Sequence, residues 1–131
     1  SWLYTTSRAM IALHACGQGE PLGAAVEALA AHQRPEGGWG ALAASPEETA
    51  YAVLALLTLL RAGWYDERVT PLLARARAYL LASYQPFADN LAALWQGKEL
   101  YAPARITRAY ILSATAALVA WRPDDVEQCN G

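Results

Sequence analysis

The sequence predicts an all-α fold, a partial αα-barrel of about five main helices that alternate inner and outer, and three observations carry that expectation. The chain is 55% hydrophobic, dominated by Ala and Leu, with few β-branched residues and a single Phe, a composition that favours helix nearly throughout. Its helical segments alternate between apolar all round and apolar on one face. Finally, a weak internal repeat sets Thr6-Ser7-Arg8-Ala9-Met10-Ile11-Ala12-Leu13 against Thr49-Ala50-Tyr51-Ala52-Val53-Leu54-Ala55-Leu56, about 43 residues on, and more loosely against Ala109 onward.

The first helix is expected from Thr5 to Cys16, rich in Ala with Met10, Ile11 and Leu13, and closed by Gly17. A second runs from Leu22 to Gln33. Leu22, Val26 and Leu29 recur there at i, i+4 and i+7, while Glu27 and His32 lie elsewhere, so one face meets water. The third, Pro46 to Arg61, is apolar almost all round through Tyr51, Val53, Leu54, Leu56, Leu57, Leu59 and Leu60, and should be enclosed by other helices. Ala62-Gly63-Trp64 ends it. Asp66 and Glu67 introduce a fourth helix, about Arg68 to Tyr84, in which Val69, Leu72, Leu73, Ala76 and Leu80 oppose Arg68, Arg75 and Arg77. Residues 85–103 hold Pro86, Gly97 and Pro103 and read as one short helical turn followed by an extended segment. The fifth helix spans about Ala104 to Trp121 and is stopped by Pro123. Burial should therefore run enclosed, half-exposed, enclosed, half-exposed, enclosed.

The most informative stretch joins the second and third helices. Pro35 cannot continue a helix, and Gly37, Gly38 and Gly40 allow backbone angles closed to other residues. Downstream, Ser45 reads as an N-cap, Pro46 as the first helical residue, and Glu48 as the reciprocal member of a capping box. Gln33 is placed to bond free backbone groups at this junction, and Trp39 offers a large ring to cover a helix end.

At 131 residues the chain is one domain at most. A net charge of −2 gives no basic surface for nucleic acid. The longest apolar run, Ala50 to Leu60, is too short for a membrane span. Cys16 and Cys129 form neither a disulfide framework nor a zinc pattern, so a reducing cytoplasmic location is the expectation. Ser1-Trp2 opens without an initiator Met or a secretory leader. Five helices leave inner apolar faces without partners, which points to a larger domain of which this is the C-terminal portion.

Gln33 followed by Gly37 and Trp39 resembles the QW motif of terpene cyclases built as αα-barrels. Tyr4-Thr5-Thr6-Ser7, then Gln33 to Trp39, then Ser45-Pro46-Glu47-Glu48-Thr49-Ala50-Tyr51, and Trp95-Gln96-Gly97-Lys98-Glu99-Leu100-Tyr101 stand in the order and approximate spacing of the C-terminal region of class II diterpene cyclases, the copalyl diphosphate synthase-like enzymes. The resemblance covers most of the chain. It implies the C-terminal part of a β domain in the terpenoid cyclase/prenyltransferase-like toroid, with the rest of the barrel and a γ domain upstream. Such enzymes fold a prenyl diphosphate, usually geranylgeranyl diphosphate, in an apolar cavity and protonate an alkene with an Asp-x-Asp-Asp acid. The cyclising cation is shielded by aromatic faces. Mg²⁺ is implied as a partner of the diphosphate, with none bound by this chain alone.

The sequence departs from the family pattern in lacking Asp-x-Asp-Asp. Arg122-Pro123-Asp124-Asp125 comes nearest, but its first position is Arg. No catalytic residue is therefore expected within the chain; the acid is expected upstream, and the isolated fragment should be inactive. Lys98, between Gly97 and the aromatic segment ending at Tyr101, is a candidate diphosphate contact. Tyr101 and Arg105 join it, since a cation in the first turn of a helix calls for a nearby anion. Tyr4, Tyr51, Trp95 and Tyr110 are candidate cavity-lining aromatics, against the plainer reading that they fill core volume. Gln33, Gly37, Trp39, Ser45 and Glu48 form the structural motif. Glu47 and Glu48 resemble a paired acid and base, but the helix dipole and the capping box account for them. His14 and His32 stand alone on different helices and are not expected to bind metal.

The alternatives are a triterpene cyclase or another αα-barrel prenyl-substrate enzyme, and a non-catalytic helical-repeat binding module. Triterpene cyclases repeat the QW motif, whereas Trp64 and Trp121 lack the upstream Gln and Gly. Protein prenyltransferases carry a zinc-binding Asp, Cys and His set that is absent here.

Overall fold

The computed structural model describes residues 1–83 and 104–124. Those residues form five α-helices: α1 (Trp2–Ala15), α2 (Glu20–His32), α3 (Pro46–Arg61), α4 (Val69–Ser83) and α5 (Ala104–Ala120). No strand occurs among the described residues. The predicted α3 bounds coincide with the observed ones, because Ser45 is an extended N-cap whose hydroxyl accepts the Glu48 N–H and Pro46 takes the first helical position.

Two starts fall earlier than expected. Ser1 caps α1 by accepting the Leu3 N–H, which extends the helix forward from Thr5 to Trp2. Pro21 lies inside the first turn of α2, where its missing N–H costs nothing, so that helix begins at Glu20. Residues 85–103, expected as a short turn and an extended segment, lie outside the described residues, as does Tyr84 at the expected end of α4.

α1 and α3 stop in the same way. Gly17 and Gly63 take left-handed φ values of 73° and 88°. Paired bonds follow, Gly17 N–H to His14 C=O and Gln18 N–H to Leu13 C=O in one, Gly63 N–H to Leu60 C=O and Trp64 N–H to Leu59 C=O in the other. These are Schellman closures, which satisfy carbonyls that the helix end leaves free.

α3 is the hub: it packs against α1, α4 and α5, while α2 packs on α1 and α4 also meets α5. Ala50, Ala52, Val53, Ala55, Leu56, Leu57 and Leu59 are all buried. Enclosure of α3 follows from its apolar circumference. The expected alternation fails at α1 and α5, however. α1 buries Leu3, Ser7 and Met10, and α5 buries Thr107, Ile111, Ala114 and Leu118. Each is a single stripe, because among the described helices both pack chiefly on α3. α2 and α4 bury one face each, through Leu22, Val26 and Leu29, and through Val69, Leu72, Leu73, Ala76, Tyr79 and Leu80.

Candidate functional site

The turn between α2 and α3 is built from backbone groups captured by side chains. Gly37 N–H returns to Arg34 C=O and Arg34 N–H bonds Gly38 C=O, closing a tight reversal at Pro35-Glu36. Gly37 has φ 97°, and a Cβ there would lie 2.4 Å from the Arg75 carbonyl oxygen of α4. Gln33 spends both amide hydrogens on carbonyls, those of Gly37 at 2.8 Å and Leu72 at 2.9 Å. Arg75 answers from α4 by donating to Arg34 C=O at 3.0 Å. Tyr79 lies against Gly38, and burial, with Glu36 second, pushes its phenol pKa up.

Trp39 is fully buried. Its indole N–H donates to Leu29 C=O at 2.8 Å, one of the last-turn carbonyls of α2, and its backbone N–H donates to the Thr49 hydroxyl at 2.9 Å. The ring thus joins the end of α2 to the start of α3.

Glu48 corrects the expected capping box. Its N–H does bond Ser45 Oγ, but its carboxylate does not return to the Ser45 N–H, which bonds Trp39 C=O instead. The carboxylate accepts from the Ser45 hydroxyl at 2.9 Å, from the Ala41 N–H at 3.2 Å and from the Ser1 hydroxyl. The reason is the loop, which folds back over the helix start: Trp39 C=O takes the Ser45 N–H, and the Ala41 N–H is brought within reach of the carboxylate. Glu48 therefore holds the loop and the beginning of α1 to α3.

The second constellation crosses three helices. Tyr51 of α3 meets Tyr4 of α1 and Tyr110 of α5, each with ring centroids 5.1 Å apart and interplanar angles of 74° and 78°. Both contacts are edge-to-face, the geometry aromatic quadrupoles prefer. Tyr51 is buried and its neighbours are half-buried. The Tyr51 hydroxyl donates to Glu47 Oε1 at 2.5 Å, and Glu47 is only 4% exposed.

Three of the four candidate cavity aromatics are therefore brought together. Trp95, Lys98 and Tyr101 lie outside the described residues. Arg105 is exposed at the second position of α5. The residue that sequence reasoning missed is Glu47. The helix dipole explains an acid in that turn but not its burial, and the overlooked signal is the i, i+4 spacing of Glu47 and Tyr51 on one helix face. Asp124 is exposed, and no group of three or more His, Cys, Asp or Glu able to hold a metal occurs among the described residues.

No protein-family model matches the chain, and no solved structure matches it. Among curated proteins it is 45% identical over 119 residues to a (+)-kolavenyl diphosphate synthase of Herpetosiphon aurantiacus, covering 90% of this chain and 23% of the relative. It is 38% identical over 121 residues to a terpentedienyl-diphosphate synthase of Kitasatospora griseola, covering 88% of the chain and 23% of the relative. A copalyl diphosphate synthase of Streptomyces anulatus is 36% identical over 118 residues, 88% of the chain and 21% of the relative. The chain thus spans under a quarter of the length of these relatives.

Proposed function

We propose that this chain, homologous over most of its length to a segment of class II diterpene cyclases, is the C-terminal portion of an αα-barrel β domain in such an enzyme. The intact protein, a cytoplasmic enzyme in this reading, converts geranylgeranyl diphosphate to a cyclic, copalyl-type diphosphate by protonating the end of the prenyl chain. The observation that carries this beyond sequence likeness is the tyrosine row, one ring from each of α1, α3 and α5. In a toroid those would be the inner helices and α2 and α4 the outer ones, in keeping with α1 and α5 both packing on α3. Aromatic faces arranged across the inner wall attract the migrating cation and exclude water from it.

The chain contains no Asp-x-Asp-Asp, so in this reading the acid comes from the remainder of the protein. In this reading Mg²⁺ would accompany the diphosphate; no group of three or more His, Cys, Asp or Glu that could hold a metal occurs among the described residues. The test is incubation of the full-length protein with geranylgeranyl diphosphate, followed by phosphatase treatment and mass spectrometry. A cyclised product with its diphosphate retained is expected; release of pyrophosphate, or no consumption, refutes the proposal. Turnover by residues 1–131 alone would overturn placement of the acid elsewhere.

Lys98, with Tyr101 and Arg105, is proposed to hold the diphosphate at the cavity mouth. Class II chemistry leaves the diphosphate bond intact, so Lys98 serves binding and positioning. In the full-length protein Lys98→Ala should raise KM about 10-fold, or about 1.4 kcal/mol, with a smaller change in kcat. An unchanged KM would return Lys98 to an ordinary surface lysine.

A further inference from the structure

The buried Glu47 carboxylate is not required by the start of α3. Glu48 already ties the loop and the helix terminus together through Ser45, Ala41 and Ser1. An acid that merely favoured the positive end of the helix would do so from the surface, without the several kcal/mol that removing a carboxylate from water costs. Glu47 is instead drawn in one turn along the helix, where it receives the Tyr51 hydroxyl.

Tyr51 is the central ring of the row and the only one of the three that touches both others in edge-to-face contact. A tyrosine ring on a helix is set by two torsions. The hydroxyl lies on the axis of the second, so its hydrogen bond pins the direction in which that axis points, which the first torsion sets, while edge-to-face packing against Tyr4 and Tyr110 limits rotation of the ring about the axis. The tilt of that axis in turn decides where Tyr51 meets each neighbouring ring.

We propose that Glu47 is a positioning residue. By holding the Tyr51 phenol it fixes the tilt of the row, and through it the selectivity with which a long hydrocarbon chain folds against these rings. This rests on the proposed function, since it takes a prenyl chain as the occupant.

The test uses the full-length protein and geranylgeranyl diphosphate, reading the ratio of cyclic products beside KM and melting temperature. Tyr51→Phe removes the same hydrogen bond from the other side without opening a cavity, and so stands in if Glu47→Ala does not fold. Both substitutions should shift the product ratio in the same direction, about threefold to tenfold. The double variant should shift it no further than the larger single one, because either substitution alone already breaks the bond between the two residues. Glu47→Gln, whose amide oxygen still accepts from Tyr51, should stay near the parent ratio. An unchanged ratio in Tyr51→Phe or in a folded Glu47→Ala, or shifts that add in the double variant, overturns the proposal. If the unsubstituted protein forms no cyclic diphosphate, the proposed function and this inference fall together, a failure visible before any substitution is made.

Discussion

The two connections that flank α3 use the same residue for different reasons. Gly37 before the helix and Gly63 after it both take left-handed backbone angles, 97° and 88°. A side chain on Gly37 would collide with the Arg75 carbonyl, whereas nothing lies within 4 Å of the position a Cβ on Gly63 would occupy. Residues 37–40 are all buried, and residues 61–63 are exposed. One connection is part of the core, and the other is a stop signal on the surface. The comparison separates what a local chain conformation demands from what a neighbouring helix demands.

The sharpest break of the contrast is Trp39→Ala in the full-length protein. It empties a fully buried site and strands the Leu29 carbonyl, and should cost about 3–5 kcal/mol, read as a lower denaturation midpoint. Product identity should be unchanged, since the ring joins helix ends; a new product at normal melting temperature would contradict that structural assignment.

The glycines come next. Gly63→Ala should cost about 1–2 kcal/mol, the strain of a left-handed alanine. Gly37→Ala adds the collision with Arg75, another 1–3 kcal/mol or so. Equal losses at the two sites would mean that the approach of α4 to the turn contributes nothing.

The smallest effect belongs to Asp66, on the exposed side of the comparison. Its carboxylate accepts the Arg68 N–H at 2.9 Å and pairs with the Arg68 guanidinium. The Arg68 hydrogen bond outweighs burial and holds its pKa below the ordinary carboxylate value. The stabilisation is therefore complete above the ordinary aspartate range and is lost as pH falls through the depressed value. Asp66→Asn should cost no more than about 1 kcal/mol near neutrality, chiefly the weakened backbone hydrogen bond, because solvent still reaches and screens the half-buried ion pair. Melting curves of parent and variant should converge in acid; a gap that widened there would reverse the sign.

The sequence disclosed the turn better than the tyrosine row, for a physical reason. Pro35, Ser45 and Pro46 act within a few residues of themselves, so their positions alone set where α2 stops and α3 starts. Tyr4, Tyr51 and Tyr110 stand far apart in the chain, and only packing decides whether they meet. Glu47 fell between these cases: its partner Tyr51 is four residues away, but its burial depends on how the helices pack. The uniform alternation of enclosed and half-exposed helices was overdrawn, because Ala-rich segments look alike in sequence whether they are surrounded or lie on a neighbour. α3, with its run of large apolar residues, declared its enclosure, and α2 and α4 showed by their charged positions the one wet face that each keeps.

The ties between the turn and α4 bear on how the molecule opens. Gln33 holds Leu72, Arg75 holds Arg34, and Arg68 reaches Gly23 on α2 at 3.1 Å. Each bond joins the α2 side directly to the α4 side, although α3 separates them in sequence, so α4 cannot loosen without exposing Gln33 and the stretch around Gly37 and Trp39. Amide protons along the inner face of α4, at Ala76 and Leu80, should therefore exchange with deuterium at the same free energy as those of Trp39 and Thr49. The segment from α2 to α4 would then behave as one foldon although its members are far apart in the chain.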